Sequence, residues 1–395
     1  MHSGNGYDFV IVVTSTPNQA DYWQKRLDQT KNMIGHRNSQ VISVYEDWDG
    51  GAGNGLGTLY AFTKANKKLK DTSGKDLNQY LQDGKSIAMF HTAGKGTRLA
   101  PLPGSEVNNK PGVKLPGIVK IGGRDTTISI LEAVIKQTGP YATSRGGRLS
   151  VFWGDQVFIP GKSFNYEADS HVDILAKLGQ WPDKAEWEEK KLSNYGLVAV
   201  AKEGAALVEK VSFDQAKSYL QHLGSLEQVG TSLGSFSVSK NMLDVLLDEF
   251  KTELESKKGK LDTDPDFWMP LTLPKKAYTE IMASKNVAAN VAQSQWERMN
   301  AMAKKLKPAP LFKAVDVGEN PYWWDYGQIS GYYTNNMKIL GEDREAKAMR
   351  EFFYSGSDVL KSGNIVLSSE TGSQKVQNSI VIIVKSKTWK RRTLF

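Results

Sequence analysis

Ile87-Ala88-Met89-Phe90-His91-Thr92-Ala93-Gly94-Lys95-Gly96-Thr97-Arg98-Leu99 is the stretch on which the reading of this chain turns. Four apolar residues run into a Gly-rich turn. A short buried strand ending this way brings backbone N–H groups close to a phosphate, because glycine puts no side chain in the way. Arg98 adds a fork of donors suited to phosphate oxygens. No G-K-[ST] closes the turn, so it is not a P-loop. G-x-G-x-x-G is also absent, which excludes the dinucleotide fingerprint. Lys110-Pro111 follows about a dozen residues later.

Working outward, Phe9 to Val13 reads as a buried strand, followed by a turn at Pro17-Asn18. Ala20, Trp23, Leu27 and Ile34 share one helical face. Val41 to Tyr45 reads as a second strand entering Gly50-Gly51-Ala52-Gly53-Asn54-Gly55-Leu56-Gly57-Thr58, with a helix from Leu59 to Ala65. Leu149 to Phe152 is a further strand, ending at Gly154-Asp155. Strands alternating with helices predict an α/β fold with a doubly wound, mainly parallel sheet. Ligands of such sheets bind at the carboxyl ends of the strands, where these glycines and Asp155 fall. Residues 161–193 read as an insertion, and residues 283–308 as a helix with Trp296, Met299, Met302 and Leu306 on a core face. From about residue 355 short β runs take over, Gly363 to Leu367 and Val376 to Ile382, as in the first coils of a β-helix. This divides the chain into a catalytic unit, 1–345, and the start of a β-helical C-terminal unit, 346–395. The abrupt stop at Leu394-Phe395 suggests that this second unit is truncated.

With 395 residues, 39 % of them hydrophobic, the chain can build one large α/β core and a smaller unit. No apolar stretch spans a bilayer, and the Phe9 to Val13 run is too short for a signal peptide. Zero cysteines exclude disulfides, Cys-zinc sites and thiol catalysis, and fit a cytoplasmic setting. The net charge is +8, part of it in Lys385, Lys387, Lys390, Arg391 and Arg392. No nucleic-acid-binding motif accompanies it, so the excess suits phosphorylated small molecules or solvent. The five histidines have no metal-ligand spacing.

The fingerprint, a strand, then G-x-G-T-R, then lysine beside proline, resembles the signature of sugar-1-phosphate nucleotidylyltransferases. Nucleotidyl transfer joins two anions, so it needs cations, a metal and positioning more than an acid or a base. Magnesium takes hard oxygen ligands, usually one or two carboxylates with phosphates and waters. Gly154-Asp155 resembles the family's G-D metal aspartate. Trp324-Asp325-Tyr326-Gly327-Gln328 resembles its W-x-D-I-G-T element, implying Asp325 as second metal ligand. Tyr195-Gly196 resembles the Y-G of the sugar site. Glu209-Lys210 resembles the E-K pair, lysine on the sugar phosphate and glutamate on a sugar hydroxyl. Ser232 stands where the family has the asparagine of N-A-G-I-Y. Both Lys110-Pro111 and Lys114-Leu115-Pro116 resemble the lysine that grips the phosphates.

The order departs from that of most members. Gly57-Thr58-Leu59-Tyr60-Ala61-Phe62 resembles the base-binding helix start, yet it precedes the fingerprint, which implies a circularly permuted sheet. Fucose-1-phosphate guanylyltransferases have a similar order, and His91, Ala93, Gly94 and Arg98 match their H-A-G-G-x-S-x-R stretch. The resemblance covers residues 7–340. It implies a magnesium-dependent conversion of NTP and a sugar 1-phosphate to NDP-sugar and pyrophosphate, without nucleic acid or membrane. Ala93, Gly94, Lys95, Gly96 and Thr97 with Arg98 would hold the triphosphate, Lys110 or Lys114 the transferring phosphate, and Asp155 and Asp325 the metal. Lys210 would orient the sugar phosphate, and Gly57 and Thr58 would seat the base. A homo-oligomer through the β-helix is implied too. Two rivals stand beside this reading. One is a non-catalytic regulatory or scaffold paralogue that binds nucleotide sugars. The other is a glycosyltransferase using Asp47-Trp48-Asp49 as a D-x-D metal motif.

Overall fold

Alternate residues of Phe9–Thr14 (β1) face two different cores. Phe9, Ile11 and Val13 join one hydrophobic cluster, while Val10 and Val12 join another on the opposite face of the sheet. A strand covered on both faces is apolar throughout, which is why this one reads as an unbroken run. The structure, a computed structural model, describes residues 6–35, 38–92, 97–154, 156–160, 165–202, 204–319, 321–354, 360–361, 364–367 and 379–382.

After β1 come Pro17–Ile34 (α1), Gln40–Tyr45 (β2), Gly53–Ser73 (α2), Leu77–Gln82 (α3) and Ile87–His91 (β3). The fingerprint leads into the hairpin Lys114–Ile121 (β4) and Arg124–Ser129 (β5), then Ile130–Thr138 (α4), Arg148–Trp153 (β6) and Gln156–Ile159 (β7). Val172–Gln180 (β8), Lys184–Glu189 (α5), Gly196–Ala201 (β9), Gly204–Glu209 (β10), Phe213–Tyr219 (α6) and Leu226–Ser239 (β11) follow. A helical stretch comprises Lys240–Glu249 (α7), Lys251–Ser256 (α8), Met269–Thr272 (α9), Lys275–Ser284 (α10) and Ala289–Ala303 (α11). The chain returns through Phe312–Asp316 (β12), Tyr322–Asp325 (β13), Ile329–Lys338 (α12) and Arg344–Tyr354 (α13), and then Leu360–Lys361 (β14), Asn364–Leu367 (β15) and Ile380–Ile382 (β16).

Among the described residues the central sheet has nine strands. Its motif-bearing half runs β2-β1-β3-β6, all parallel, with Val13 level with Val44 and His91, and Phe90 level with Phe152. Strands near Val12 and Val44 therefore share the sheet of the fingerprint strand. The other half is antiparallel around β11, whose bulge between Ser232 and Phe236 lets its first part pair with β9 and its last part with β6, while β8 takes the other edge. Helices cover both faces: Leu56, Leu59 and Phe62 of α2 belong to one core, and Trp23 and Leu27 of α1 with Leu131 and Val134 of α4 to the other.

Three expectations need correction. Helix α2 begins at Gly53 instead of Leu59, so Gly57 and Thr58 lie inside it. The supposed insertion 161–193 contains β8, which pairs with β11 and β12 in the central sheet. Its apolar residues, Val172, Ile174, Leu175 and Ala176, are interrupted in sequence by Asp173 and flanked by polar residues, which hides the strand. The helix expected at 283–308 is α11 alone, with Met299 and Met302 buried as anticipated.

The expected boundary after residue 345 falls inside α13. That helix packs on β4, where Phe353 fills the space over Gly117: a Cβ there would lie 2.9 Å from Phe353 Cδ1. Beyond it β15 and β16 pair in parallel, Ile365 level with Ile380, and β14 adds an antiparallel edge. The basic residues 385–392 lie outside the described residues. No helix among the described residues is long and apolar enough to cross a membrane.

Candidate functional site

Because β1, β2, β3 and β6 are parallel, their carboxyl ends open at one edge of the sheet. Residues Ala93, Gly94, Lys95, Gly96 and Asp155 lie outside the described residues. The turn resumes as a single 3-10 turn, Thr97–Leu99, in which Leu99 is buried and Arg98 exposed. Leu99 thus anchors the turn and leaves the guanidinium of Arg98 directed outward.

The head of α2 comes up to the same edge. A helix start has orphan N–H donors, and α2 has no side-chain cap of its own. A distant segment supplies the acceptors. Leu261 O accepts from Gly55 N at 2.8 Å and from Leu56 N at 3.3 Å, and Asp262 Oδ1 accepts from Asn54 N at 2.8 Å. With these donors taken and a carboxylate on the helix end, α2 is no phosphate site. One turn further along, Thr58 Oγ1 donates to Asn54 O at 2.7 Å and lies 2.8 Å from His91 Nε2. The hydroxyl has only one hydrogen, so the imidazole must carry its own on Nε2 and donate to Thr58. Burial pushes the His91 ring down to about 4, so it stays neutral. Glu46, just beyond β2, accepts from Ala52 N at 2.9 Å, and its Oε2 would sit 3.3 Å from a Cβ on Gly57.

The two candidate lysines separate. Lys110 opens a 3-10 turn, Lys110–Gly112, capped by Asn109. A Cβ on Gly327 would lie 3.2 Å from Lys110 Nζ and 2.8 Å from Asp325 Oδ1, so ammonium and carboxylate face each other across this glycine. Lys114 belongs elsewhere. Its Nζ lies 2.9 Å from Glu106, in a cluster where Arg26 binds Glu132 at 2.8 Å and Tyr22 donates to Glu106 at 2.7 Å. Burial, and then the nearby Arg26, hold the Lys114 ammonium below its usual range.

Asp325 ends β13, opposite Gln156 of β7, the residue next in sequence to Asp155. Its Oδ1 accepts from Gly327 N at 2.7 Å, while Trp324 and Tyr326 on either side are fully buried. The turn is thereby rigid, and the carboxylate's second oxygen is a hard ligand of the kind magnesium takes. Among the described residues no three acidic, His or Cys side chains gather as a metal cluster.

The sugar-side residues share one hairpin. Gly196 pairs with Glu209 across β9 and β10, and Lys210, in the left-handed region at φ 56°, donates its N–H to Tyr195 O at 3.0 Å. Tyr195 is exposed. Glu209 forms an ion pair with Lys285 and a looser one, at 3.5 Å, with Lys210. Asp264, from the single π-helical turn Thr263–Trp268, approaches the same place, and burial, with Glu209 adding to it, pushes its carboxyl up to about 7. Asp47 of the D-x-D triplet is held by Lys64 and Lys257, each at 2.6 Å, and by Tyr60. That carboxylate already has two cations, which weighs against the glycosyltransferase reading.

The structure thus joins Gly57 and Thr58 to the end of the fingerprint strand, Lys110 to Asp325, and Tyr195, Gly196, Glu209 and Lys210 to one another. Sequence reasoning missed Glu46, Asp264 and Lys285. The acidic density of Asp262-Thr263-Asp264-Pro265-Asp266 was a signal for Asp264; nothing local marks Lys285.

No protein-family model matches the chain, and no curated protein matches its sequence. Among solved structures, HddC from Yersinia pseudotuberculosis complexed with GMP-PN is similar at 14 % identity and a TM-score of 0.27, over 84 % of this chain and 99 % of that one. A putative glucose-1-phosphate thymidylyltransferase from Bacillus anthracis, in complex with a sucrose, aligns at 11 % identity and a TM-score of 0.24, covering 86 % of this chain and 98 % of its own. A nucleoside-diphosphate-sugar pyrophosphorylase from Vibrio cholerae aligns at 10 % identity and a TM-score of 0.25, covering 83 % and 99 %. Likeness of this size carries no argument about this chain.

Proposed function

We propose that this chain is a sugar-1-phosphate nucleotidylyltransferase with a permuted sheet, converting NTP and a sugar 1-phosphate to NDP-sugar and pyrophosphate. The observation that carries the reading is the 2.8 Å contact between Thr58 and His91. It joins the segment resembling a base-binding helix to the strand resembling a triphosphate fingerprint, although the base segment comes first in the chain. The strand order β2-β1-β3-β6 supports the same permutation.

In the reaction a phosphate oxygen of the sugar phosphate attacks the α-phosphorus, a new P–O bond forms, and the bond to the β-phosphate oxygen breaks as pyrophosphate leaves. Arg98 and the turn before it would hold the triphosphate oxygens, and Lys110 would meet the charge on the transferring phosphate. Lys210 would orient the attacking phosphate, with Tyr195, Gly196 and Glu209 around the sugar. Magnesium, held by Asp155 and Asp325, would neutralise phosphate charge and order the triphosphate. The pairing of Asp325 with Gln156 supports that pair. The reading carries with it a cytoplasmic setting and self-association through a β-helical C-terminal segment.

A pyrophosphate-release screen of the four NTPs against hexose 1-phosphates, with magnesium, tests the reading. Release with one pair is the expected result. Tight binding of an NDP-sugar without release under any pair would replace it by the non-catalytic paralogue.

A further inference from the structure

Four segments meet around the missing side chain of Gly196. A Cβ there would lie 3.7 Å from Asp264 Oδ2, 3.8 Å from Ser232 Cβ and 4.0 Å from Glu209 Cγ. The other oxygen of the Asp264 carboxyl, Oδ1, is shielded from solvent and makes no hydrogen bond of normal geometry among the described residues, the Thr263 side chain being the polar group beside the carboxyl. An orphaned acceptor of this kind costs stability unless something bonds to it. Around it, Lys285 pairs with Glu209, and Ser232 Oγ accepts from Gly234 N at 3.1 Å. The raised carboxyl of Asp264, kept beside a second carboxylate, adds the signature of a functional position.

We propose that Asp264 is a specificity-determining residue on the sugar side of the site, accepting a hydrogen bond from one sugar hydroxyl in the space that Gly196 leaves open. The inference rests on the nucleotidylyltransferase reading and extends it. Ser232 stands where the resemblance would put an asparagine, and its hydroxyl is turned back on its own loop. Asp264 supplies, from another segment, the polar contact that the short serine does not make. Lys285 has the supporting part of holding Glu209 beside Gly196.

The test compares the sugar 1-phosphate found by the pyrophosphate screen with its monodeoxy analogues. Wild-type enzyme should reject one analogue by about 5- to 100-fold in kcat/KM, the range for leaving a buried polar group unpaired. Asp264→Ala should lose that rejection at that one position and raise KM for the parent sugar, with KM for NTP unchanged, while Asp264→Asn, whose amide oxygen still accepts a hydrogen bond, should keep most of it. Gly196→Ala, whose methyl meets its neighbours at ordinary contact distance, should fold and raise the sugar KM alone. An active Asp264→Ala variant with wild-type discrimination overturns the Asp264 assignment and leaves nucleotidyl transfer standing. If the Asp264 variants do not fold, an unchanged sugar KM in Gly196→Ala overturns it. A wild-type chain that neither releases pyrophosphate nor is thermally stabilised by any hexose 1-phosphate overturns both readings.

Discussion

His91 and Asp264 titrate in opposite senses. His91 sits at about 4 in the fold, below the roughly 6.5 of a free imidazole, so the unfolded chain binds more protons between those values. Its contribution is full above pH 6.5 and is lost as pH falls toward 4. Asp264, faced by Glu209, Lys285 and Asp262, sits at about 7, above the roughly 3.9 of a free carboxyl. Here the folded chain binds more protons, and stability falls as pH rises from 4 to 7. Asp266, at about 6, acts in the same sense as Asp264. Each group can contribute a slope of at most about 1.4 kcal/mol per pH unit. Urea unfolding followed from pH 4 to 7 should therefore show stability rising more steeply with pH in Asp264→Asn than in wild type, and less steeply in His91→Asn. Parallel profiles for all three proteins would contradict this account. Arg98 belongs to the same scale. Because it is exposed beside a buried anchor, Arg98→Ala should fold normally and lose about 2–4 kcal/mol of transition-state stabilisation, read as kcat/KM in the pyrophosphate assay. Near-normal turnover would remove it from the site.

At the scale of elements, the decisive joint is the head of α2 against residues 261–263. Gly53 has φ 74°, and a Cβ on it would lie 2.4 Å from Leu261 O, a backbone atom that also accepts the helix's orphan donors. The close approach admits glycine alone. Gly53→Ala should cost about 2 kcal/mol or more, by strain and by prising Leu261 from Gly55 and Leu56. Chemical denaturation measures the loss, and a cost near zero would mean that the joint gives way freely. Since α2 carries Thr58, the same variant should also weaken NTP binding through a rise in KM. By contrast α4 is capped locally: Ser129 and Glu132 form a reciprocal capping box, with Arg26 neutralising Glu132.

Across the whole molecule, α13 ties the chain that follows α12 back onto the region of β13. Phe353 is 6 % exposed, fills the space over Gly117 and stacks on Trp324, whose neighbour Asp325 is a candidate metal ligand. Phe353→Ala should cost about 3–5 kcal/mol, the range for a large buried aromatic. It should also raise the magnesium concentration needed for half-maximal turnover, because the Trp324 wall that orients Asp325 would lose its backing. Thermal unfolding and a magnesium titration read the two effects separately. A fall in melting temperature with an unchanged magnesium requirement would confine Phe353 to stability.

The sequence alone carried the parallel half of the sheet, because strands buried on both faces must be apolar along their length, as at Phe9 to Val13 and Ile87 to Phe90. It also carried the buried face of α11, a matter of short-range pattern. What depended on partners far along the chain was not legible there. Helix α2 starts early because its cap comes from Asp262, 208 residues away. Val172 to Gln180 enters the central sheet because β11 and β12 offer it two edges. Lys110 and Lys114, four residues apart with similar neighbours in sequence, differ only because one meets Asp325 and the other is drawn into the Arg26–Glu106–Glu132 cluster. Asp264 Oδ1 is left without a hydrogen bond among the described residues because the folded chain commits Lys285 to Glu209 and shields that oxygen from water. Local pattern sets which face of an element is apolar; the pairing of charges and helix ends is settled by whatever the completed fold brings within hydrogen-bond reach.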